Sequence, residues 1–138
     1  HGAAAILAIG DDALRLRKHA EVKVALDLGT AWHEWTGRPF VFAVWALRRE
    51  TVAQRDGVVH AAHATLIEAR EYGLNHLDQI SATLDQCTWF SKGECTQYLQ
   101  TIEYDLDADK QEGLKLFLDM LYEMGELNRR VSLEFLTV

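Results

Sequence analysis

The sequence predicts an α/β fold over residues 1–48, followed by a mostly helical segment over residues 49–138. Three observations support this prediction. Apolar runs and short helical patterns alternate in the first part as strand, helix, strand, helix, strand. The run at residues 40–45 is apolar throughout, which is typical of a strand covered on both faces. In the second part, apolar side chains recur at three- and four-residue steps, the period of an α-helix.

The first part divides into three predicted strands and two predicted helices. The strands cover residues 4–9, 21–26 and 40–47, and the helices run from a turn at Gly10 to about Lys18 and over residues 30–35. Gly37 follows the second helix, where a glycine readily takes the left-handed conformation that ends a helix. The single proline, Pro39, stands at the entry to the third strand, where its missing N–H is tolerated.

The second part contains four predicted helices and one short strand. The helices cover residues 52–72, 74–84, 91–99 and 107 to about 124, and the strand covers residues 101–106. Gly73 and Gly125 are expected to end the first and the last helix. Ser91 with Glu94 three residues later matches a capping box, and Asp107 is the expected N-cap of the last helix.

Composition excludes several classes of function. The formal charge of −7 and the absence of a basic cluster disfavour nucleic-acid binding. Cys87 and Cys95 are too few for a disulfide scaffold and lack zinc-ribbon spacing, so we expect reduced thiols in a cytoplasmic protein. No apolar run reaches membrane-span length. The apolar run after His1 lacks signal-peptide features, and we interpret it as the first strand of a fragment whose true N-terminus lies upstream.

Three motifs, in this order and spacing, resemble chorismate dehydratase of the futalosine route to menaquinone. They are Gly10-Asp11-Asp12-Ala13-Leu14 after an apolar strand, Asp27-Leu28-Gly29 with Trp32, and Thr36-Gly37-Arg38-Pro39 leading into Phe40-Val41-Phe42-Ala43-Val44-Trp45. Tyr98-Leu99, Tyr104-Asp105-Leu106 and the helix from Gly113-Leu114 to Phe117-Leu118 fit the same family. The resemblance covers nearly all of this chain and about the C-terminal half of the family. Asp12 departs from the pattern, because Arg or another residue is more usual there.

The resemblance implies a fold and an activity. The fold is that of type II periplasmic binding proteins, two α/β lobes around a cleft, of which this chain would supply the C-terminal portion. Residues 1–48 would be part of one α/β lobe, and residues 49–138 would return to pack on the other lobe and the hinge. The activity is a hydro-lyase that removes water from chorismate to give 3-[(1-carboxyvinyl)oxy]benzoate, without a cofactor. Catalytic residues are not identified in this chain and are expected in a missing N-terminal half, so the fragment alone should be inactive. Whether the protein forms a homodimer stays open.

Two alternatives remain beside the dehydratase. The sister enzyme dihydroxynaphthoate synthase shares the fold, but it tends to continue with a Pro-Leu-Gly-Gly-like turn where this chain has residues 40–45, which favours the dehydratase. A solute-binding or sensor domain could use the same two-lobed cleft without any chemistry, because one fold hosts many functions.

The first group of candidate substrate-binding residues is Gly10, Asp11, Asp12 and Ala13, where a turn leads into a helix. Chorismate carries two carboxylates, and free N–H groups at a helix N-terminus favour anions. A nearby ionised aspartate would repel them by up to about 4 kcal/mol at 4 Å, more than the helix dipole contributes. We therefore expect Asp11 or Asp12 to cap its own helix, and the alternative is that one of them contacts the substrate hydroxyls or takes a proton.

The second group of candidates is Asp27, Phe42 and Trp45. Asp27 ends a predicted strand, a usual place for a cleft residue in an open α/β sheet, although a turn explains it equally well. Phe42 and Trp45 are expected in the core, with the alternative that one of them forms an apolar wall against the substrate ring. No metal site is predicted, because the spacing of His60 and His63 is not that of a zinc motif.

Overall fold

A computed structural model describes residues 5–19, 21–22, 25–83 and 89–136. Seven helices occupy this part of the chain. They are α1 (Gly10–Arg17), α2 (Leu28–Thr36), α3 (Arg49–Gln54), α4 (Asp56–Asn75), α5 (Leu77–Ala82), α6 (Lys92–Thr101) and α7 (Ala108–Glu123). The two short predicted helices of the first part are confirmed as α1 and α2, and the last two helices as α6 and α7.

Local sequence signals set several helix ends as predicted. The Ser91 hydroxyl accepts from the Glu94 backbone N–H and the Glu94 carboxylate accepts from the Ser91 N–H, which completes the predicted capping box of α6. Asp107 caps α7 by accepting from the Lys110 N–H at 2.9 Å. Gly37 and Gly125 follow α2 and α7 with φ of +71° and +80°, the left-handed conformation expected of them.

Two predicted helix boundaries are wrong. The predicted helix over 52–72 is two helices, because the chain bends at Arg55 (φ −140°, ψ 40°) between α3 and α4. Gly73 does not end α4, which continues to Asn75; the break falls at His76 (φ −128°, ψ 27°) instead. Within α4, Gly73 faces Ile80 of α5, and an added Cβ would lie 3.8 Å from the Ile80 Cδ1, at ordinary van der Waals distance.

None of the predicted strands is paired in the part of the chain that the structure describes. Residues 5–9, 25–26, 40–47 and 102–106 are not helical and no strand is assigned to them, and Glu21 of the second predicted strand lies in a turn in which the Val22 N–H donates to the His19 carbonyl oxygen at 3.1 Å. Ala4 and residues 23–24 of the predicted strands lie outside the described residues. A strand is completed only when its N–H and C=O groups bond to a neighbouring strand. The α/β class and the division at residue 48 therefore stay predictions.

An aromatic cluster joins α2, α7 and the segment between α2 and α3. The Trp32 ring, 9% exposed, contacts Phe40 and Phe117 edge to face, with 5.7 Å between ring centroids in each pair. Phe40 and Phe117 also contact each other at 5.1 Å. Such pairs add about 0.5–1.5 kcal/mol each beyond area burial. α7 can approach this closely because Gly113 lies directly against the backbone carbonyl of Pro39.

A second packed region is built by α4, α5 and α6. Ser81 and Cys95 are buried there, and the Thr96 hydroxyl donates to the Ser81 hydroxyl at 2.8 Å. This bond satisfies the Ser81 side chain, which would otherwise be a costly buried polar group.

The start of α7 is held by an ionic cluster around Lys110. Its ammonium lies 2.7 Å from Glu103, 2.9 Å from Asp105 and 3.0 Å from Asp107, and the Lys110 side chain is 15% exposed. Hydrogen bonds from Lys110 lower the pKa of Asp105, and the bond from the Lys110 backbone N–H is the main cause of the lowered pKa of Asp107. The cluster ties the extended residues 103–107 to the first turn of α7.

Large apolar side chains remain exposed along the extended segments. Ile6, Leu7 and Ile9 are 69–81% exposed, so the predicted burial of the first strand is not observed. Phe42 and Trp45 are 78% and 64% exposed, and their predicted place in the core is wrong for this structure. Both errors have one reason: an unpaired extended segment has no sheet neighbours or covering layer to bury its side chains.

Candidate functional site

The first candidate group lies at the N-terminus of α1. Gly10 opens the helix with φ +59°, a conformation that a side chain would disfavour. The N-cap position is Ile9, and no side chain makes a capping hydrogen bond there. Asp11 and Asp12 lie exposed in the first turn, so the predicted capping role is wrong. Carboxylates are favoured in a first turn by the helix dipole even without a direct bond.

This arrangement leaves the two carboxylates available and argues against an anion at the same turn. Neither Asp11 nor Asp12 is held by a hydrogen bond to its own helix, so nothing turns the negative charges away from an incoming carboxylate. Since the capping role of Asp11 and Asp12 is wrong, the alternative role is contact with uncharged hydroxyl groups of a ligand. An ionised carboxylate is a good hydrogen-bond acceptor for such groups.

Asp27 is the N-cap residue of α2, which agrees with the prediction that it belongs to a turn. Its Oδ1 accepts from the Thr30 N–H at 2.9 Å. That bond is the main cause of the lowered pKa of Asp27, and the positive charge of Arg17 contributes further. Asp27 is nevertheless exposed, and hydrogen bonds from the Thr30 side chain and the Gly29 backbone also lower its pKa. The cap and a contact with a ligand are therefore compatible.

Asp27 and Phe42 come together at Gly29. A Cβ added to Gly29 would lie 2.8 Å from the Phe42 Cζ and 3.4 Å from the Asp27 Oδ1. Behind Phe42, the Phe40 ring packs edge to face at 5.0 Å between centroids. The result is an exposed aromatic face beside an ionised carboxylate, which can receive an unsaturated ring and hydrogen-bond a hydroxyl group on it.

The remaining candidates do not join this corner. Trp45 is exposed three residues beyond Phe42. Within the described ranges, no hydrogen bond, ion pair or ring contact links the Gly10–Ala13 turn to Asp27 or Phe42. Two cavities of about 330 Å³ and 450 Å³ lie elsewhere, one beside α5 and α6 and one beside Arg49 and residues 129–132. Neither is lined by a predicted substrate residue.

The histidines outside the candidate site show no metal geometry. Across the described ranges, no group of three or more His, Cys, Asp or Glu side chains is placed to hold a metal ion. His76 is held locally, with its Nδ1 2.7 Å from the Tyr72 carbonyl oxygen and its ring stacked on Tyr72 at 4.0 Å between centroids. Nor is any helix in the described part both long enough and apolar enough to cross a membrane.

The basic end of α1 was missed as a contact site. Arg15 and Lys18 reach Trp89, Phe90 and Glu94 at the start of α6. No local signal could reveal this, because 71 to 76 residues separate Lys18 from its hydrogen-bond partners.

Comparison with known proteins adds to this geometry. Residues 1–123 match the family model described as menaquinone biosynthesis. The chain belongs to the menaquinone biosynthesis family. It is 36% identical over 104 residues to the chorismate dehydratase of Thermus thermophilus, which confirms the predicted resemblance. The aligned part is 75% of this chain and 36% of that relative, so the chain spans about a third of the relative's length. Every predicted substrate residue lies within residues 1–123, the range of the family match.

Proposed function

We propose that this chain is part of a chorismate dehydratase, a lyase that converts chorismate and releases one water to give 3-[(1-carboxyvinyl)oxy]benzoate in menaquinone biosynthesis. The observation that carries the proposal is the 36% identity to a chorismate dehydratase, supported by the family match over residues 1–123. The reaction removes a hydroxide and a proton from the ring, and the resulting aromaticity supplies the driving force. The protein mainly has to orient the ring and accept or relay a proton.

The corner formed by Asp27 and Phe42 is the proposed contact of this chain with the substrate. The Phe42 face is exposed and would cover one side of the ring, while the Asp27 carboxylate would accept a hydrogen bond from the ring hydroxyl. Because the pKa of Asp27 is lowered, it is a weak base, and we assign it an orienting role rather than proton abstraction. The proton acceptor is proposed to lie elsewhere in the protein.

The fold proposed for the whole protein is the two-lobed one of type II periplasmic binding proteins, with this chain as its C-terminal portion. Two observations support it. The apolar segment at residues 5–9 exposes Ile6, Leu7 and Ile9, which a sheet neighbour and a covering layer would bury. The buried indole Nε1 of Trp32 has no hydrogen-bond acceptor among the described residues, and an adjoining element of the complete fold would supply one.

The test is to incubate the complete natural gene product with chorismate and follow the products by mass spectrometry. A product lighter than chorismate by one water, with the ultraviolet spectrum of a benzoate, supports the dehydratase. Heat-denatured protein is the control for spontaneous breakdown of chorismate. Tight binding without turnover would indicate a solute-binding protein instead. If the protein neither binds nor converts chorismate, the assignment to chorismate is contradicted.

A further inference from the structure

Gly29 lies where the two proposed substrate contacts meet. A Cβ added to it would lie 2.8 Å from the Phe42 Cζ, closer than real Cβ atoms come to other atoms, and 3.4 Å from the Phe42 Cε2. The same position is 3.4 Å from the Asp27 Oδ1. The Phe42 ring therefore occupies the space that any side chain at residue 29 would need.

The backbone conformation does not require a glycine at this position. Gly29 belongs to α2, and it is not one of the glycines with a positive φ. Inside a helix, glycine is less favourable than alanine because it loses more backbone entropy on folding. The close approach of the Phe42 ring is the contact that alanine would disturb, and it gives the glycine a physical reason.

The Phe42 ring is placed by a second neighbour as well. The Phe40 ring packs on it edge to face, with 5.0 Å between ring centroids. Phe40 is itself held by edge-to-face contacts with Trp32 and Phe117. The bare surface of Gly29 and the fixed Phe40 ring together determine where the Phe42 ring lies.

The Asp27 carboxylate is the rigid side of this corner, and the Phe42 ring is the side that can move. The Asp27 Oδ1 accepts from the Thr30 N–H at 2.9 Å. A Cβ at 3.4 Å from this oxygen is an ordinary contact, so the cap would stay intact. Phe42 is mostly exposed, and its ring can swing towards solvent. Alanine at residue 29 would therefore displace the ring and leave the carboxylate in place.

We infer that Gly29 is a positioning residue for the substrate, because its missing side chain lets the Phe42 ring lie beside the Asp27 carboxylate. This inference rests on the proposed function. With alanine at residue 29, the ring must move by about 1 Å to restore an ordinary carbon–carbon contact. The aromatic face would then no longer cover the substrate ring while Asp27 reaches its hydroxyl group. Gly29 thus sets the spacing between the two groups that recognise an unsaturated ring with a hydroxyl group.

The test compares Gly29→Ala and Phe42→Leu, alone and combined, in the complete natural gene product. Leucine stays apolar, but it is shorter than phenylalanine and relieves the overlap with residue 29. The matched control is Gly93→Ala in α6, where an added Cβ meets nothing within 4 Å. Urea unfolding separates positioning from stability. Gly29→Ala should be at least as stable as wild type, because alanine favours the helix and the exposed ring moves aside.

The kinetic result should show that residue 29 acts through the Phe42 ring. For chorismate dehydration, Gly29→Ala should raise KM about fivefold, the equivalent of one aromatic contact, with kcat changed by less than about twofold. Phe42→Leu should raise KM by a similar factor, and the double variant should resemble Phe42→Leu alone. In NMR spectra of wild type, the Gly29 Hα protons should show an Overhauser effect to the Phe42 ring protons, and Phe42→Leu should remove it.

Four outcomes would overturn the inference. An unchanged KM in Gly29→Ala shows that the position of the ring does not affect the substrate. A further rise in KM when Gly29→Ala is added to Phe42→Leu shows that residue 29 acts by another route. A rise of the same size in Gly93→Ala shows a general effect, and a loss of stability in Gly29→Ala contradicts the movable ring. If the wild-type protein does not convert chorismate, the proposed function fails and the positioning role falls with it, while the Overhauser effect still decides whether Gly29 contacts Phe42.

Discussion

Replacing Gly113 with alanine should break the contact between α7 and the Pro39 segment. Gly113 is buried, and a Cβ added to it would overlap the Pro39 carbonyl oxygen, well inside the 3.0 Å that real Cβ atoms keep. The same atom would lie 3.4 Å from the Pro39 carbonyl carbon and 3.6 Å from the Arg38 Cβ. A backbone carbonyl cannot rotate aside as a side chain can, so the helix itself must move.

The cost follows from what that movement disturbs. Separating α7 from Pro39 by about 1 Å is an overpacking strain of about 1–3 kcal/mol. It also loosens the contacts of Phe117 with Trp32 and Phe40, each worth about 0.5–1.5 kcal/mol when intact. Alanine returns about 1 kcal/mol through its higher helix propensity. The net loss in free energy of unfolding should be about 2 kcal/mol.

The assay is urea unfolding of the complete gene product, followed by tryptophan fluorescence. The matched control is Gly93→Ala in α6, where an added Cβ meets nothing within 4 Å. It should be neutral or stabilising by up to about 1 kcal/mol. If Gly113→Ala is as stable as this control, α7 does not pack against Pro39 and the reasoning fails.

Three further predictions concern charged residues. Glu94→Gln should lower stability at neutral pH, and the difference from wild type should disappear as pH falls from about 4.5 towards 2, because the lowered pKa of Glu94 stabilises the folded state only while the carboxylate is ionised. Lys110→Met should lower the melting temperature by leaving three carboxylates unpaired, and less so at pH 4, where protonation relieves their repulsion. Asp27→Asn should keep the cap of α2 and reduce chorismate turnover, whereas Asp27→Ala should also lose about 1 kcal/mol of stability.

These three predictions can each fail in a defined way. A Glu94→Gln difference that is constant between pH 7 and pH 3 would contradict the ion pair with Lys18. A Lys110→Met variant with the melting temperature of wild type at pH 7 would show that the ionic cluster around Lys110 does not stabilise the folded protein. Full turnover in Asp27→Asn would show that the Asp27 carboxylate does not contact the substrate and that its role is to cap α2.

The short-range features of this protein were predictable from its sequence. The capping box of Ser91 and Glu94, the Asp107 cap and the left-handed Gly37 and Gly125 all depend on side chains within a few residues of the atoms they satisfy. The family motifs were also readable, because they consist of residue order and spacing. The 36% identity to a chorismate dehydratase confirms that resemblance.

Only the tertiary structure decided which residues meet. It brought Asp27 and Phe42 together at Gly29, placed Gly113 against Pro39 and joined Lys18 to Glu94. It also showed that no side chain caps the first turn of α1, whereas the sequence predicted that Asp11 or Asp12 would cap it. Local patterns specify backbone conformation over one or two turns, because the competing interactions lie nearby. Contacts across 70 or more residues depend on the direction in which each element leaves the last, and no short pattern carries that information.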